Sequence, residues 1–351
     1  MSMSERVTWY RSRSASSNIK PSVRRAVRNW LMDRLPEPEV RGKTIVMYSR
    51  RTFPKVSWSG LYSEFHGFFS EFHSVLGALA YAAAHGAAGV RVDFGSPLYV
   101  DANRGANWWT YFFEQAVMPL DPSGRNGHPE VPLDRIVTRY GRFGGFSDIV
   151  QGSTPYLYPM THGLDRVTLH NLVAQHVRVR AEILKDVERF VSTRFSAHRY
   201  VVGVHYRGTD ATHNWTGAWT HYRTVPLPYS VYADEVRAAV DAGAVADFLV
   251  FVATDEIEFL DFMREEFGDR VVCVPDAPRV RSNSQAIHLD RTLPISNYQK
   301  GKSALVDSLI LAATSYLVKG RSNLSDASLA FNPQLPYSFC PDVSVRLVAK
   351  P

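Results

Sequence analysis

In one stretch of this chain, from Arg199 to Asp210, a set of chemically capable side chains follows directly on a strand. Five residues of buried-strand composition, Tyr200 to Val204, run into a polar cluster of His205, Arg207 and Asp210. A short apolar run with β-branched residues is the mark of a strand in a parallel sheet. Ligands of open α/β sheets bind at the carboxyl ends of such strands. His205 and Arg207 alternate with Tyr206, so on a continuing strand they project on one face. An arginine there suits a diphosphate, because its planar fork donates two parallel hydrogen bonds to phosphate oxygens. The competing reading is an Arg–Asp ion pair that closes a loop, and this stretch alone does not choose between them.

Two further polar turns follow apolar strands in the second half, Thr254-Asp255 and Gly320 to Ser325. In a doubly wound sheet such ends converge on one crevice. Ser322, Asn323 and Ser325 stand at the start of a final helix, where free N–H groups attract anions, although serines there more often act only as caps. Asp307 lies among Ala304, Leu305, Val306, Leu309 and Ile310 on a predicted helix. If buried, its carboxylate needs a partner to offset desolvation. The N1–H and amino group of a guanine would serve, and so would an ordinary buried hydrogen bond or ion pair.

The elements that must position these residues alternate between strand and helix. Thr44–Tyr48 reads as a strand, Gly67 to Ala82 as a helix with Gly86 near its end, and Gly89–Asp93 as the next strand, which together make a βαβ unit. Leu169 to Phe195 reads as a single helical tract. In the second half the predicted strands are Tyr200 to Val204, Asp247 to Ala253, Arg270 to Val274 and Ser315 to Lys319. The predicted helices are Tyr229 to Ala242, Ile257 to Phe267 and Ser303 to Thr314, with Asp276 to Lys302 as loop. The expected fold is therefore α/β, with two Rossmann-type doubly wound domains at residues 43–195 and 196–351. Residues 1–42 form a basic extension with a short helix over Ser22 to Leu31.

Two aromatic groups fall in the first half. Phe53, Trp58, Tyr62 and Phe65 sit in the long loop Ser49 to Gly67, whose length suits a lid or binding loop. Trp108, Trp109, Tyr111, Phe112 and Phe113 could stack on a sugar, but rings this closely spaced more often form core. Asp121 to Gly163 is rich in Pro and Gly and weakly periodic, as an irregular substrate-side insertion would be.

The bulk numbers exclude several classes. At 351 residues the chain is long enough for two cores. Its net charge of +6 is a moderate bias, compatible with anionic ligands but without the concentrated basic stripe of a nucleic-acid binder. Cys273 and Cys340 are the two cysteines, with no CxxC spacing, so neither a thiolate zinc site nor a disulfide framework is expected, and a reducing, cytoplasmic setting fits. No segment has the apolar length of a membrane span or a secretory signal. The basic N-terminal helix could lie on an anionic membrane surface or pack on the first domain.

The three polar blocks also carry a family likeness. Val202-Gly203-Val204-His205-Tyr206-Arg207 resembles the His-x-Arg signature of the α1,6-fucosyltransferase superfamily. Phe251 to Asp255 resembles that family's strand ending in Thr-Asp, and Ser303 to Ala312 its Asp-bearing helix. The likeness spans about Val167 to Pro333, with the first βαβ unit matching only loosely. It implies a GT-B architecture whose two domains face a central cleft, with the acceptor on the first domain and a GDP-sugar on the second. It further implies inversion at the anomeric carbon and no required metal or other cofactor. By the same likeness Arg207 holds the β-phosphate, His205 lines the nucleotide site, Asp307 reads guanine, Ser322 and Asn323 contact the diphosphate, and Asp255 joins the donor site or caps the next helix.

Two departures stand out. Gly208 replaces a second basic residue, and the bulky Ser49 to Gly67 segment replaces a Gly-rich loop. An inverting transfer needs a general base for the acceptor hydroxyl; Asp210 is the candidate, followed by Glu71 and His213. The expected donor is GDP-fucose or a related GDP-sugar and the acceptor a glycan or glycoconjugate. The alternatives are a transferase for another GDP-sugar and a catalytically silent nucleotide- or glycan-binding protein of the same fold.

Overall fold

Two blocks of β-branched residues set the frame of the first lobe. In the computed structural model, which describes residues 39–48, 67–115, 130–132, 164–209, 227–282, 284–320 and 322–340, Thr44–Tyr48 forms β1 and Gly89–Asp93 forms β2. The expected helix at Ser22 to Leu31, the aromatic loop at 49–66, most of the insertion at 121–163, Asp210 and His213 lie outside the described residues. β1 and β2 pair in parallel with Thr44 opposite Gly89, and β3 (Glu130–Pro132) flanks β1 on its other side. Between β1 and β2 runs α1 (Phe68–His85), which ends where Gly86 takes φ +66° and donates its N–H to Ala82 O. That left-handed cap is open to glycine without strain. The expected βαβ unit is present.

The aromatic cluster is core. Trp108, Trp109, Phe112 and Phe113 are fully buried around α2 (Trp109–Phe112), with Trp109 and Phe113 rings 4.2 Å apart and Phe68 edge-on to Phe112 at 5.1 Å. None of these four rings is open to a sugar.

The single helical tract expected over Leu169 to Phe195 is two helices, α3 (Arg166–His176) and α4 (Ala181–Arg194). The break has a tertiary cause: Arg180 N donates to Phe112 O at 2.9 Å, and Glu114 N to Arg178 O at 2.8 Å. The backbone at 177–180 thus finds partners at the end of α2 instead of continuing its own ladder. α4 then lies on the second sheet, where Phe190 and Phe195 pack on Phe251 at 5.5 and 6.0 Å.

The second lobe is a five-stranded parallel sheet in the order β6-β5-β4-β7-β8. Its strands are β4 (Tyr200–Tyr206), β5 (Phe248–Thr254), β6 (Val271–Val272), β7 (Tyr316–Lys319) and β8 (Tyr337–Phe339). The connecting helices are α5 (Tyr229–Ala242), α6 (Ile257–Phe267), α7 (Asn297–Ala312) and α8 (Asn323–Phe331). From the central β4 the chain winds outward to β5 and β6, then returns along α7 to begin β7 on the opposite flank. This is the doubly wound order, and its switch point lies between β4 and β7.

Residues of β4 alternate between two faces. Val202, Val204 and Tyr206 join the core under α5 and α6, while Val201 joins the core shared with the first lobe. That shared core runs from Phe72 and Trp109 to Phe251, Leu305 and Ile310, so the two lobes are fused along α1, α3, α7 and α8. Gly203 lies on the shared face, where an added Cβ would stand 2.9 Å from Thr314 Oγ1 and 3.0 Å from Leu311 Cδ2. The glycine lets the end of α7 sit directly on the strand. Among the described residues no helix is long and apolar enough to cross a membrane.

Candidate functional site

Strand pairing brings His205 to the switch point. His205 lies opposite Lys319 in the β4–β7 register, and both side chains lie on the face shared with Gly203 and Leu317. Arg207 follows one residue beyond the strand and is half-buried. α8 starts just past β7, so its N-terminus opens onto the same crevice. There Ser322 caps the helix, accepting from Leu324 N at 3.3 Å, and Asp326 N closes on Ser322 O at 3.1 Å. His205 and Arg207 thus lie at the carboxyl end of β4, and Ser322 and Asn323 at the helix start that follows the neighbouring β7.

The electrostatics of this crevice favour an anion. His205 is buried, and its pKa is pushed down to about 3 by desolvation first, then by the charges of Lys319 and Arg207. It is a neutral imidazole at any physiological pH, and its Nδ1 is buried with no hydrogen-bond partner among the described residues. The Asn323 Oδ1 is buried and unpartnered in the same sense. Unsatisfied buried polar atoms are costly, at about 1–3 kcal/mol each, and mark places where a ligand or water completes the set.

Two charged residues in this region were not foreseen. Lys319 is fully buried, and its ammonium meets Asp326 Oδ1 at 2.5 Å. A lysine closing a short apolar strand and an aspartate in a helix's first turn each look like surface residues in sequence, and their pairing depends on the β7–α8 turn. The third unforeseen residue is His73 of α1, whose Nε2 lies 3.2 Å from Asn323 O. Burial lowers its pKa, against the opposing pull of Asp326. Glu71 sits in the first turn of the same helix and is buried. Among the candidate bases Asp210, Glu71 and His213, it is the one that lies within the described residues.

Asp255 braces the crevice from below. Its Oδ1 accepts from Gly208 N at 2.8 Å and its Oδ2 from Thr209 Oγ1 at 2.7 Å. The turn after β5 thereby fixes the turn after β4, immediately past Arg207. Beside it Glu256 is buried, and its Oε1 accepts from the Tyr229 hydroxyl, whose pKa is raised by burial and by this bond. A Cβ on Gly208 would fall 1.8 Å from Glu256 Oε2 and 2.8 Å from Glu256 Cβ. Any side chain at position 208 must therefore displace Glu256. Gly208→Ala is expected to lose about 1–3 kcal/mol of stability through overpacking, read as a lower urea midpoint; an unchanged midpoint would show that Glu256 yields freely.

Asp307 is placed near the middle of α7, one residue before Ser308, whose Oγ donates to Leu324 O at 3.1 Å. Burial raises the Asp307 pKa to about 7, with the Arg279 charge opposing. Its Oδ1 and the Arg279 Nε are both buried without a hydrogen-bond partner among the described residues, while the Arg279 Nη atoms donate to Ala277 O and Val274 O. Among the described residues no group of three or more His, Cys, Asp or Glu side chains is placed to hold a metal ion.

No protein-family model and no curated protein sequence matches the chain. Solved structures do. The fucosyltransferase NodZ from Bradyrhizobium is 17% identical, with 89% of this chain and 100% of that one covered at a TM-score of 0.50. NodZ alpha-1,6-fucosyltransferase soaked with GDP-fucose overlaps over the same shares at 17% identity and a TM-score of 0.49. An Arabidopsis thaliana FUT1 mutant in complex with GDP is 11% identical, covered over 75% of its length and 92% of this chain, at a TM-score of 0.45. The chain thus has a GT-B-like fold, shared with the fucosyltransferase NodZ.

Proposed function

We propose that this protein transfers a sugar, fucose first among the candidates, from a GDP-sugar to a hydroxyl group of a glycan or glycoconjugate, inverting the anomeric carbon without a metal ion. The observation that carries this reading is the crevice between β4 and β7. There Arg207, a neutral His205 and the start of α8 converge, with buried polar atoms of His205 and Asn323 left for a ligand. The fold shared with NodZ supports it.

In this reading Arg207 binds the β-phosphate and Ser322 and Asn323 the rest of the diphosphate, where helix N–H groups add positive field. His205 lines the nucleotide site, and Asp307 accepts from guanine. Asp255 acts through the turn it braces. The acceptor oxygen forms its bond to the anomeric carbon as the bond to the GDP oxygen breaks. The acceptor proton passes to a carboxylate, Asp210 or Glu71, and the charge growing on GDP is met by Arg207 and α8. Two cysteines without a disulfide between them suit a cytoplasmic setting.

A ligand panel tests this. GDP is expected to raise the unfolding midpoint while UDP and ADP at equal concentration do not; at a hundredfold excess over Kd the stabilisation is about 2.7 kcal/mol. Equal responses to all three nucleotides would remove the guanine assignment. Slow release of GDP from GDP-fucose in water then separates an enzyme from a silent binder of the same fold. A faster release from another GDP-sugar would replace fucose as the donor.

A further inference from the structure

A second site lies at the seam between the lobes. A pocket of about 350 Å³ is bounded by Pro97 and Leu98, from the loop after β2, and by His288, Arg291, Ile295 and Lys300 from the second lobe. That volume falls within the range of about 300–1,000 Å³ usual for small-ligand clefts.

Its walls are fixed. Asn297, the first residue of α7, donates from Nδ2 to both Pro97 O and Val100 O at 3.0 Å. Ser296 and Gln299 close a capping box at the same helix start. Tyr298 is held between the Phe112 ring, stacked at 5.3 Å, and the Arg104 guanidinium at 3.5 Å.

Basic side chains predominate at the pocket, where among the described residues Lys300 and Arg291 face the charge of one carboxylate, Asp290, beyond ion-pair distance of Lys300. Lys300 is 7% exposed, yet no carboxylate among the described residues comes within ion-pair distance of its ammonium. Its hydrogen-bond partner there is Asp290 O at 2.7 Å, which leaves further N–H donors on a group that offers three. The Asp290 carboxylate is engaged with Thr292 N at 2.8 Å and Thr292 Oγ1 at 2.6 Å. Arg291 brings a second positive charge to the same cavity, and burial weakens the hold of Lys300 on its proton. Buried charges are otherwise paired, so this cavity has the chemistry of an oxyanion site with one apolar wall. α7 runs antiparallel to the strand it feeds, so its N-terminus lies on the same side of the sheet as the donor crevice.

We propose that this pocket is a subsite for an acidic sugar of the acceptor, its carboxylate paired with Lys300 and Arg291 and its ring lying against Pro97, Leu98 and Ile295. This rests on the glycosyltransferase reading above. The test follows thermal unfolding of the full chain with glucuronate, glucose or inorganic phosphate at equal concentration, and with GDP in parallel. Glucuronate raises the midpoint and glucose does not, and the apparent glucuronate affinity falls at least about tenfold in Lys300→Met and in Arg291→Ala, the latter changing an exposed side chain. The absence of a glucuronate shift, an equal glucose shift, or a shift that survives both substitutions overturns the assignment. So does a phosphate shift as large as that of glucuronate, which marks a site for free anions. GDP stabilisation without glucuronate stabilisation removes the acidic subsite alone; glucuronate stabilisation without GDP stabilisation supports the pocket's chemistry and removes the donor reading.

Discussion

Arg207→Ala is expected to lower kcat/KM for sugar transfer by about 10²–10³ while the protein stays folded, the size of effect seen when one preorganised donor is removed from a developing negative charge. Arg207 stands one residue beyond β4, past the buried hydrogen bonds of the sheet. The turn that follows it is held by Asp255 through Gly208 N and Thr209 Oγ1 rather than by the guanidinium alone. The substitution therefore leaves this brace in place. In the proposed transfer charge accumulates on GDP as the glycosidic bond breaks, so the loss should fall more on kcat than on KM. Arg207→Lys keeps the charge without the two-pronged fork and is expected to fall between wild type and alanine. Rates measured with a GDP-sugar and a working acceptor, alongside circular dichroism of each variant, decide the matter. Full activity in the alanine variant would leave the Arg207 side chain as a loop-closing group.

How much of this was legible in the sequence follows from which contacts are local. The bounds of α5 and α6 are those expected from periodicity, and β4 only extends further, to Tyr206. α7 starts at Asn297 instead of Ser303, because its capping box over Ser296 and Gln299 is embedded in a polar stretch that carries no apolar period. β3 and β8, at three residues each, are too short to show alternation. The break between α3 and α4 comes from hydrogen bonds to Phe112 and Glu114, which lie far away in sequence.

The site divides along the same line. His205 and Arg207 are adjacent to a readable strand, and the switch point brings them to Ser322 and Asn323. Lys319 with Asp326, His73 with Asn323, and Pro97 with Asn297 are meetings of separate elements, and only the folded chain makes them. The packing of Gly208 against the buried Glu256 is likewise a contact that only the folded chain makes.

Asp307→Asn is expected to make the protein more stable and worse at binding GDP, and the pH dependence of both effects carries the argument. Burial raises the Asp307 pKa from 3.8 to about 7, so between those values the folded state holds a proton that the unfolded chain has released. Wild-type stability therefore falls as pH rises from about 4 to 7 and levels off above. Asparagine has no such proton, so its advantage over aspartate should grow by roughly 3 kcal/mol from pH 5 to pH 8, read from denaturant midpoints at the two pH values. Binding runs the other way. In the proposed donor site guanine presents two N–H donors to this residue and the charged carboxylate accepts both, so GDP binding would favour the deprotonated form. With the free pKa near 7, wild-type GDP affinity is expected to drop about tenfold from pH 8 to pH 6, as the fraction of ionised carboxylate falls. The amide of Asp307→Asn can accept one of the two bonds and turns a donor toward the other. Its affinity should fall about a hundredfold at pH 8, since each hydrogen bond to a charged group contributes about 1.5–3 kcal/mol, and should no longer change between pH 8 and pH 6. Calorimetric titration of both proteins at the two pH values reads all four numbers. A wild-type GDP affinity that is flat over this range, or an asparagine variant that binds GDP as tightly as wild type, would show that the unpartnered Oδ1 of Asp307 does not face the base.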